Sequence, residues 1–358
     1  MRTLVLDAIN YLDRERNPEK PEDSGQNLTY DDSDTVVLAE GDDPVKKPEM
    51  LIVGCGGTGN AVINRLFHRG FSGPRTMVID QDNQTFQHSH ASVPFYLSRK
   101  YFRDRDLCVL EGHPDIVAAA SKNACDDLKK QIGKPDLCII VAGLGGNAGT
   151  GSAPVIAEIA KSKGSVVTVF VTIPSRLEKS RIVRARKGLE ELLLIADSVF
   201  VLDLGNLLGI MPKDLPLIYV YSTADQLMAE VVRNLYERVC TLSLINLDYD
   251  DLLHILTQGG YGTLLFGETQ EPAFFDGVCR DCWNNMMRNI PISEITSCIV
   301  LIEGHYAGLF YSEQIATGIS YCLEPHADVI WGANEDHSIP DGEVRAFVLV
   351  STGRKTVL

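Results

Sequence analysis

No run of about 18 apolar residues, the length a membrane-spanning helix needs, occurs in this chain of 358 residues. The opening stretch MRTLVLDAINYLDRER also lacks the apolar centre of a secretory signal. Basic charge is scarce: 33 Lys and Arg stand against 48 Asp and Glu, a formal net charge of −15. That balance argues against nucleic acid as a partner, since phosphate backbones are held by clustered cations, and it disfavours direct contact with anionic lipid. It leaves room for a nucleotide, which needs only a local anion site. The nine cysteines show no disulfide framework. Cys55, Cys138, Cys298 and Cys322 sit inside apolar stretches, as reduced thiols of a cytoplasmic protein do. Cys279 and Cys282 form a lone C-x-x-C, whereas structural zinc normally takes two such pairs or added histidines, so no metal site is expected from cysteine. The usual P-loop is missing too: the single Gly-Lys pair, Gly133-Lys134, runs into Pro135.

What is present suits a packed globule of more than one domain, with 45% hydrophobic residues. Residues 1–48 read as a flexible N-terminal arm, whose first 16 residues suit a short amphipathic helix and whose remainder is rich in Pro, Gly and acids. From residue 49, apolar strand segments (MLIV, TMVID, LCIIVAG, SVVTVFVT, SVFVLD) alternate with helical ones near 56–69, 114–131, 152–162 and 180–194. This rhythm predicts an α/β fold with a doubly wound parallel sheet over 49–215, its ligands at the C-terminal strand ends. Apolar residues at helical spacing predict one long central helix within 216–243. The remainder, 244–354, reads as a smaller α+β domain.

Two glycine turns carry the chemistry. Gly54, Gly56 and Gly59 lie between a strand and a helix in the G-x-G-x-x-G spacing, and TMVID ends in Asp80, where a dinucleotide fold keeps its ribose-binding acid. Alone, that turn indicates NAD. A second run, VAGLGGNAGTG at 141–151, again joins strand to helix and has no place in a dinucleotide site. Glycines there let the backbone curl around phosphate oxygens, and Thr150 adds a hydroxyl. Two glycine loops without a lysine point to a triphosphate held largely by backbone.

At this point the chain resembles the tubulin and FtsZ superfamily. GLGGNAGTGSAPVIAEIAK is similar to the family signature GxGGGTGTG with its following helix, GCGGTGNAVINRL resembles the first phosphate loop of archaeal-type FtsZ, and VIWGANED resembles its C-terminal domain. The resemblance runs from about 49 to 353 and implies GTP or GDP as cofactor, with Mg2+ accompanying the triphosphate. It implies a nucleotide site comprising Gly56, Gly57, Asn60, Asp82, Gly145, Gly146, Asn147, Ala148, Gly149, Thr150 and Gly151. Glu178 and Arg181 would contact ribose and phosphate, Tyr221 would stack on guanine, and Asp225 would accept the guanine N1 and N2 protons. LINLDYDD resembles the family's synergy loop, N-x-D-x-x-D, so that Asn246, Asp248 and Asp251 would act in trans on the nucleotide of a neighbouring subunit. Read from the residues, the two acids are three apart and share a face at a helix start, where they can orient one water; a helix cap with solvent-facing acids is the plainer alternative.

The implied function is a cytoplasmic, GTP-hydrolysing cytoskeletal protein of cell division that polymerises head to tail, co-assembles with another FtsZ or reaches the membrane through an adaptor. Several positions depart from the family pattern. Asn147 replaces a glycine, Ala148 a threonine and Ala61 an asparagine; LEGHPD at 110–115 replaces a small-residue γ-phosphate loop and brings in Glu111; and Leu204 replaces a guanine-binding asparagine, with Asn206 close by. These changes fit slow hydrolysis or a non-hydrolysing structural paralogue, and an NAD enzyme is the remote alternative. The sequence closes on STGRKTVL without the long linker and anchor-recruiting peptide of many members, so either the N-terminal arm recruits partners or a tail has been removed.

Overall fold

The computed structural model describes residues 1–16, 48–103, 112–241, 243–269, 275–305 and 308–356. Its first half is built on six strands: β1 (Met50–Cys55), β2 (Arg75–Asp80), β3 (Val93–Tyr96), β4 (Leu137–Gly143), β5 (Val166–Ile173) and β6 (Ser198–Asp203). They lie in the order β3-β2-β1-β4-β5-β6, every pair parallel. β1 and β6 are buried end to end, which explains their unbroken apolar runs: helices cover both faces. The chain moves outward from β1 to β2 and β3, then returns to the other side of β1 as β4. A crevice at the C-terminal ends of β1 and β4 follows from that reversal.

The four later strands, β7 (Gly260–Thr269), β8 (Ser297–Gly304), β9 (Asp328–Glu335) and β10 (Val344–Ser351), do not make a separate layer. β7 pairs in parallel with β6 from Ser198↔Gly260 to Val201↔Thr263, and β10, β8 and β9 extend the same sheet. The smaller C-terminal region expected over 244–354 is therefore continuous with the first half through one sheet of ten strands among the described residues.

One face is covered by α1 (Arg2–Arg16), α2 (Gly56–His68), α8 (Leu204–Ile210), α9 (Leu217–Cys240) and α10 (Tyr249–Gln258), joined through a core that includes Leu4, Val62, Leu227 and Leu252. The other carries α4 (Pro114–Asn123), α5 (Cys125–Ile132), α6 (Asn147–Ser162), α7 (Lys179–Ile195), α11 (Phe275–Asn284) and α12 (Leu309–Ser320). The short α3 (Gln84–Gln87) follows β2. The helix expected over 114–131 is broken at Ala124, and α6 starts at Asn147, about a turn earlier than its apolar pattern indicates.

The long helix α9 is present as expected, and it buries charge as well as hydrocarbon. Arg233 Nη2 lies 2.9 Å from Glu230, 2.7 Å from Glu303 of β8 and 3.2 Å from Asp336, binding the helix to the second half of the sheet. Burial alone would raise the Glu230 pKa; Arg233 and Arg69 outweigh it and draw that carboxyl down to about 2.

The expectation of a flexible arm over 1–48 needs correction in its first part. Residues 2–16 form α1, lying on α9 with Leu4 and Ala8 fully buried, because Leu4, Val5 and Ala8 line one helical face. Asp7 of this helix pairs with Arg345 of β10 at 3.2 Å. The rest of the arm, residues 17–47, lies outside the described residues.

Candidate functional site

β1 and β4 are neighbours, so the turns at their C-terminal ends meet. Gly56 has φ +73°, and a Cβ added there would lie 3.0 Å from the Gly149 nitrogen and 3.1 Å from the Ala148 Cβ. The two glycine loops thus touch, and α2 and α6 start side by side. Neither helix has a side-chain cap or an acid in its first turn, so their amide donors and positive ends face an anion site without local competition.

The individual glycines divide by role. A Cβ on Gly54 would lie 2.5 Å from the Gly59 oxygen, and one on Gly59 2.7 Å from the Val141 oxygen. Those two serve close helix–strand packing. Gly57, with nothing within 4 Å of its added Cβ, and Gly146, with its nearest neighbour 3.9 Å away, face open space. Gly145 holds a left-handed turn at φ +95° and gives its N–H to Thr150 Oγ1 at 2.8 Å. Gly149 is pressed against Gly143, and Gly151 against Pro114 and Ala118 of α4. Asn147 Oδ1 accepts the Gly112 N–H at 3.1 Å, fastening the second loop to the start of α4; Glu111 lies outside the described residues.

Asn60 donates to the Thr85 carbonyl at 3.0 Å, and Asp82 accepts the Gln84 N–H at 2.9 Å. Both organise the segment after β2. Asp80 accepts from the Gln81 and Asp82 amides and the Thr85 hydroxyl, so the acid that suggested a dinucleotide is occupied in a local turn. Burial raises its pKa above the ordinary value.

Glu178 accepts from Arg181 at 2.5 Å and from the Tyr221 hydroxyl at 3.2 Å, so three of the expected sugar and base contacts form one linked group. Tyr221 and Asp225 line a cavity of about 290 Å3 together with Gly57, Asn60 and Arg65. Burial pushes the Asp225 carboxyl up to about 7, with Arg65, 3.8 Å away, opposing the shift. Leu12 and Glu15 of α1 also line this cavity. Sequence reasoning missed them, although a buried stripe at Leu4, Val5 and Ala8 was the available sign that the helix docks.

Asn246, Asp248 and Asp251 are not brought to the glycine loops. Asp248 caps α10, accepting the Asp250 N–H at 2.8 Å and the Asp251 N–H at 3.3 Å, while Asn246 Oδ1 accepts from Ser243 at 2.9 Å. All three side chains are exposed. Asp136, immediately before β4, acts electrostatically on Tyr249 of α10, and Ser198 at the start of β6 hydrogen-bonds the Leu256 carbonyl. The acids therefore sit at the N-terminal end of the strands. The glycine loops sit at the other end, with a seven-residue strand of about 20 Å between.

The C-x-x-C lies in α11, where the Cys279 thiol contacts the Ile315 carbonyl at 3.5 Å and Cys282 is fully buried. Burial pushes Cys279 up to about 11. No helix among the described residues is long and apolar enough to cross a membrane.

The family model described as Tubulin/FtsZ family, GTPase domain, matches residues 49–212. The cell division protein FtsZ 2 of Halobacterium salinarum is 36% identical over 305 residues, covering 85% of this chain and 76% of the relative. FtsZ 1 of Methanocaldococcus jannaschii is 30% identical over 307 residues, 85% of this chain and 83% of the relative. The solved structure of an empty FtsZ dimer from M. jannaschii superposes with a TM-score of 0.80 at 30% identity, over 86% of this chain and 88% of that one. CetZ2 from Haloferax volcanii shares the fold at 16% identity with a TM-score of 0.69, over 84% of this chain and 92% of that one. With its two abutting glycine loops at a strand-order reversal and relatives of this closeness, the chain belongs to the Tubulin/FtsZ family and carries that family's GTPase domain over residues 49–212.

Proposed function

We propose that this chain binds GTP at the joined glycine loops, polymerises head to tail, and hydrolyses GTP where Asn246, Asp248 and Asp251 of one copy close over the nucleotide of the next. The single observation that carries this reading is the separation of the acids from the loops. They occupy opposite ends of the same strands, so a chain cannot bring its own acids to its own phosphate, whereas a stacked copy can. Asp251 then helps to orient the attacking water, and a Mg2+ ion arriving with the triphosphate would offset phosphate charge. In this assignment Gly57 and Gly146 face the phosphates, Tyr221 stacks on guanine, Asp225 accepts its N1 and N2 protons, and Glu178 and Arg181 hold the sugar side.

The relatives' names support a role in cell division, and the M. jannaschii FtsZ solved as a dimer supports self-association. FtsZ 1 and FtsZ 2 both occur in M. jannaschii, which makes co-assembly with a second FtsZ a direct experiment; attachment to a membrane would use an adaptor. A second reading, a slowly hydrolysing structural paralogue, is favoured by Ala148, whose methyl offers no donor, and by Asn147, whose amide oxygen is engaged by Gly112.

The test is Asp251→Ala, compared with the unaltered chain in GTP binding, sedimentation and phosphate release. The proposal expects affinity and sedimentation within about twofold and phosphate release reduced by at least about a hundredfold, in the range of lost general-base catalysis. Unchanged phosphate release overturns the assignment. Sedimentation of the unaltered chain with GTP but without phosphate release favours the paralogue.

A further inference from the structure

The base cavity has a wall that belongs to neither glycine loop nor to α9. Arg65 of α2 is only 3% exposed, and its guanidinium carbon lies 4.1 Å from the centre of the Tyr11 ring of α1. Its Nη2 donates to Ser222 Oγ at 2.7 Å, its Nη1 to the Ala61 carbonyl at 3.3 Å, and Nη1 stands 3.8 Å from Asp225 Oδ2. Ser222 in turn donates to the Ala8 carbonyl of α1 at 2.9 Å. The N-terminal helix is thereby connected to the base-facing acid through one arginine. Among the described residues nothing donates a hydrogen bond to either Asp225 oxygen, so Arg65 is its only cationic partner there.

Resting on the reading of Asp225 as the guanine acceptor, we propose that Arg65, held between Tyr11 and Asp225, is a positioning residue for guanine selectivity, and that α1 is the wall that keeps it in place. A carboxylate selects guanine only as an anion, because a protonated acid cannot accept the N1 and N2 protons together. Burial works against that anion, and the arginine favours it. The ring of Tyr11 fits this role: its face stabilises the cation without offering an anion that would draw Arg65 away from Asp225. The other titratable groups lining the cavity are Glu15 of α1, whose charge disfavours the Asp225 anion, His88 after α3 and Tyr221 of α9.

The test measures the affinities of GTP and of inosine triphosphate, which lacks the N2 amine, between pH 6 and 8 for the full chain and for Arg65→Met, Arg65→Lys and Tyr11→Leu. Arg65→Met should weaken GTP by about tenfold or more at pH 7 and cut the preference over inosine triphosphate at least about threefold, as expected when charge-assisted bonds to the base are lost. GTP affinity should begin to recover as the pH rises from 7 to 8, where the N1 proton of the base is still in place, since Asp225 without its cation ionises at higher pH. Arg65→Lys should restore most of the preference. Tyr11→Leu, at a less buried position, should move both quantities the same way by a smaller factor, and it decides the matter if Arg65→Met does not fold. Equal weakening of the two nucleotides at every pH overturns the proposal, as does an unchanged preference in Tyr11→Leu when Arg65→Met cannot be made. Asp225→Asn separates the layers: if it keeps the preference for GTP, the base-site reading itself fails, and if it loses the preference while Arg65→Met retains it, only the role of Arg65 fails.

Discussion

Gly56 and Gly149 meet across the join between β1 and β4, so closely that a single added Cβ on Gly56 would come within 3.0 Å of the Gly149 nitrogen. Gly56→Ala should therefore act twice. The residue holds φ +73°, which costs an L-residue roughly 1–2 kcal/mol, and its methyl would push the second loop away from the shared anion site. We expect a lower melting temperature together with GTP affinity reduced by about tenfold or more. Gly164→Ala is the control: φ is +88° but nothing lies within 4 Å, so stability should fall with nucleotide affinity unchanged. Equal affinities in the two variants would remove the loop contact from the nucleotide site.

Asp248 caps α10 and, in the function proposed above, also serves the nucleotide of a neighbouring copy. Truncation to Ala should cost about 1 kcal/mol of stability. Asp248→Ser keeps a capping oxygen while removing the charge. Urea denaturation should place Asp248→Ser close to the unaltered chain, and phosphate release should still drop. Full turnover in that variant would mean that the cap is the whole function of Asp248.

Asp225 gives the nucleotide-free protein a pH signature. Its carboxyl is raised from 3.8 to about 7 in the folded chain, so folding is favoured while the group is protonated in the native state. The contribution is complete below pH 3.8 and disappears as the pH climbs through about 7. Asp225→Asn should flatten that part of the stability curve, measured by denaturant midpoints at pH 5 and pH 8. An identical pH 5 to pH 8 difference in both proteins would assign the slope elsewhere.

Helix α1 contributes to the stability of the whole fold. Leu4 is fully buried against the face that holds α9, so Leu4→Ala should destabilise by about 2–4 kcal/mol, read from urea unfolding. A loss below about 0.5 kcal/mol, the range of neutral surface changes, would show that the helix does not stay docked in solution.

Five of the six strands in the parallel half of the sheet are legible in the sequence because they are largely buried and read as plain apolar runs, as in LCIIVAG and SVFVLD, whereas the short edge strand β3, alternately half-buried and exposed, offers no such run. β7 escapes for the opposite reason: GYGTLLFGET spends three positions on glycine, and Gly262 and Gly267 are there because β10 and α11 approach too closely for a side chain. The first turn of α6 is hidden because Asn147–Gly151 has the composition of a loop, while the fold needs those small residues where α6 crosses the first glycine turn and α4. At the site, residue types expose the two loops and the acids. They do not show that Asp80 and Asn60 face the segment after β2, nor that the N-terminal helix lines the cavity beside Tyr221 and Asp225, since both depend on contacts between separate elements of the chain.

Specific activity as a function of protein concentration tests the shared reaction centre most directly. Phosphate release per chain should be followed alongside light scattering from well below to well above the concentration at which the protein assembles. A centre divided between two copies predicts that release per chain falls to less than about a tenth once scattering disappears, as expected when the acids that orient the water are withdrawn. Constant release per chain through that dilution would place the whole centre within one copy and contradict the division of labour proposed above.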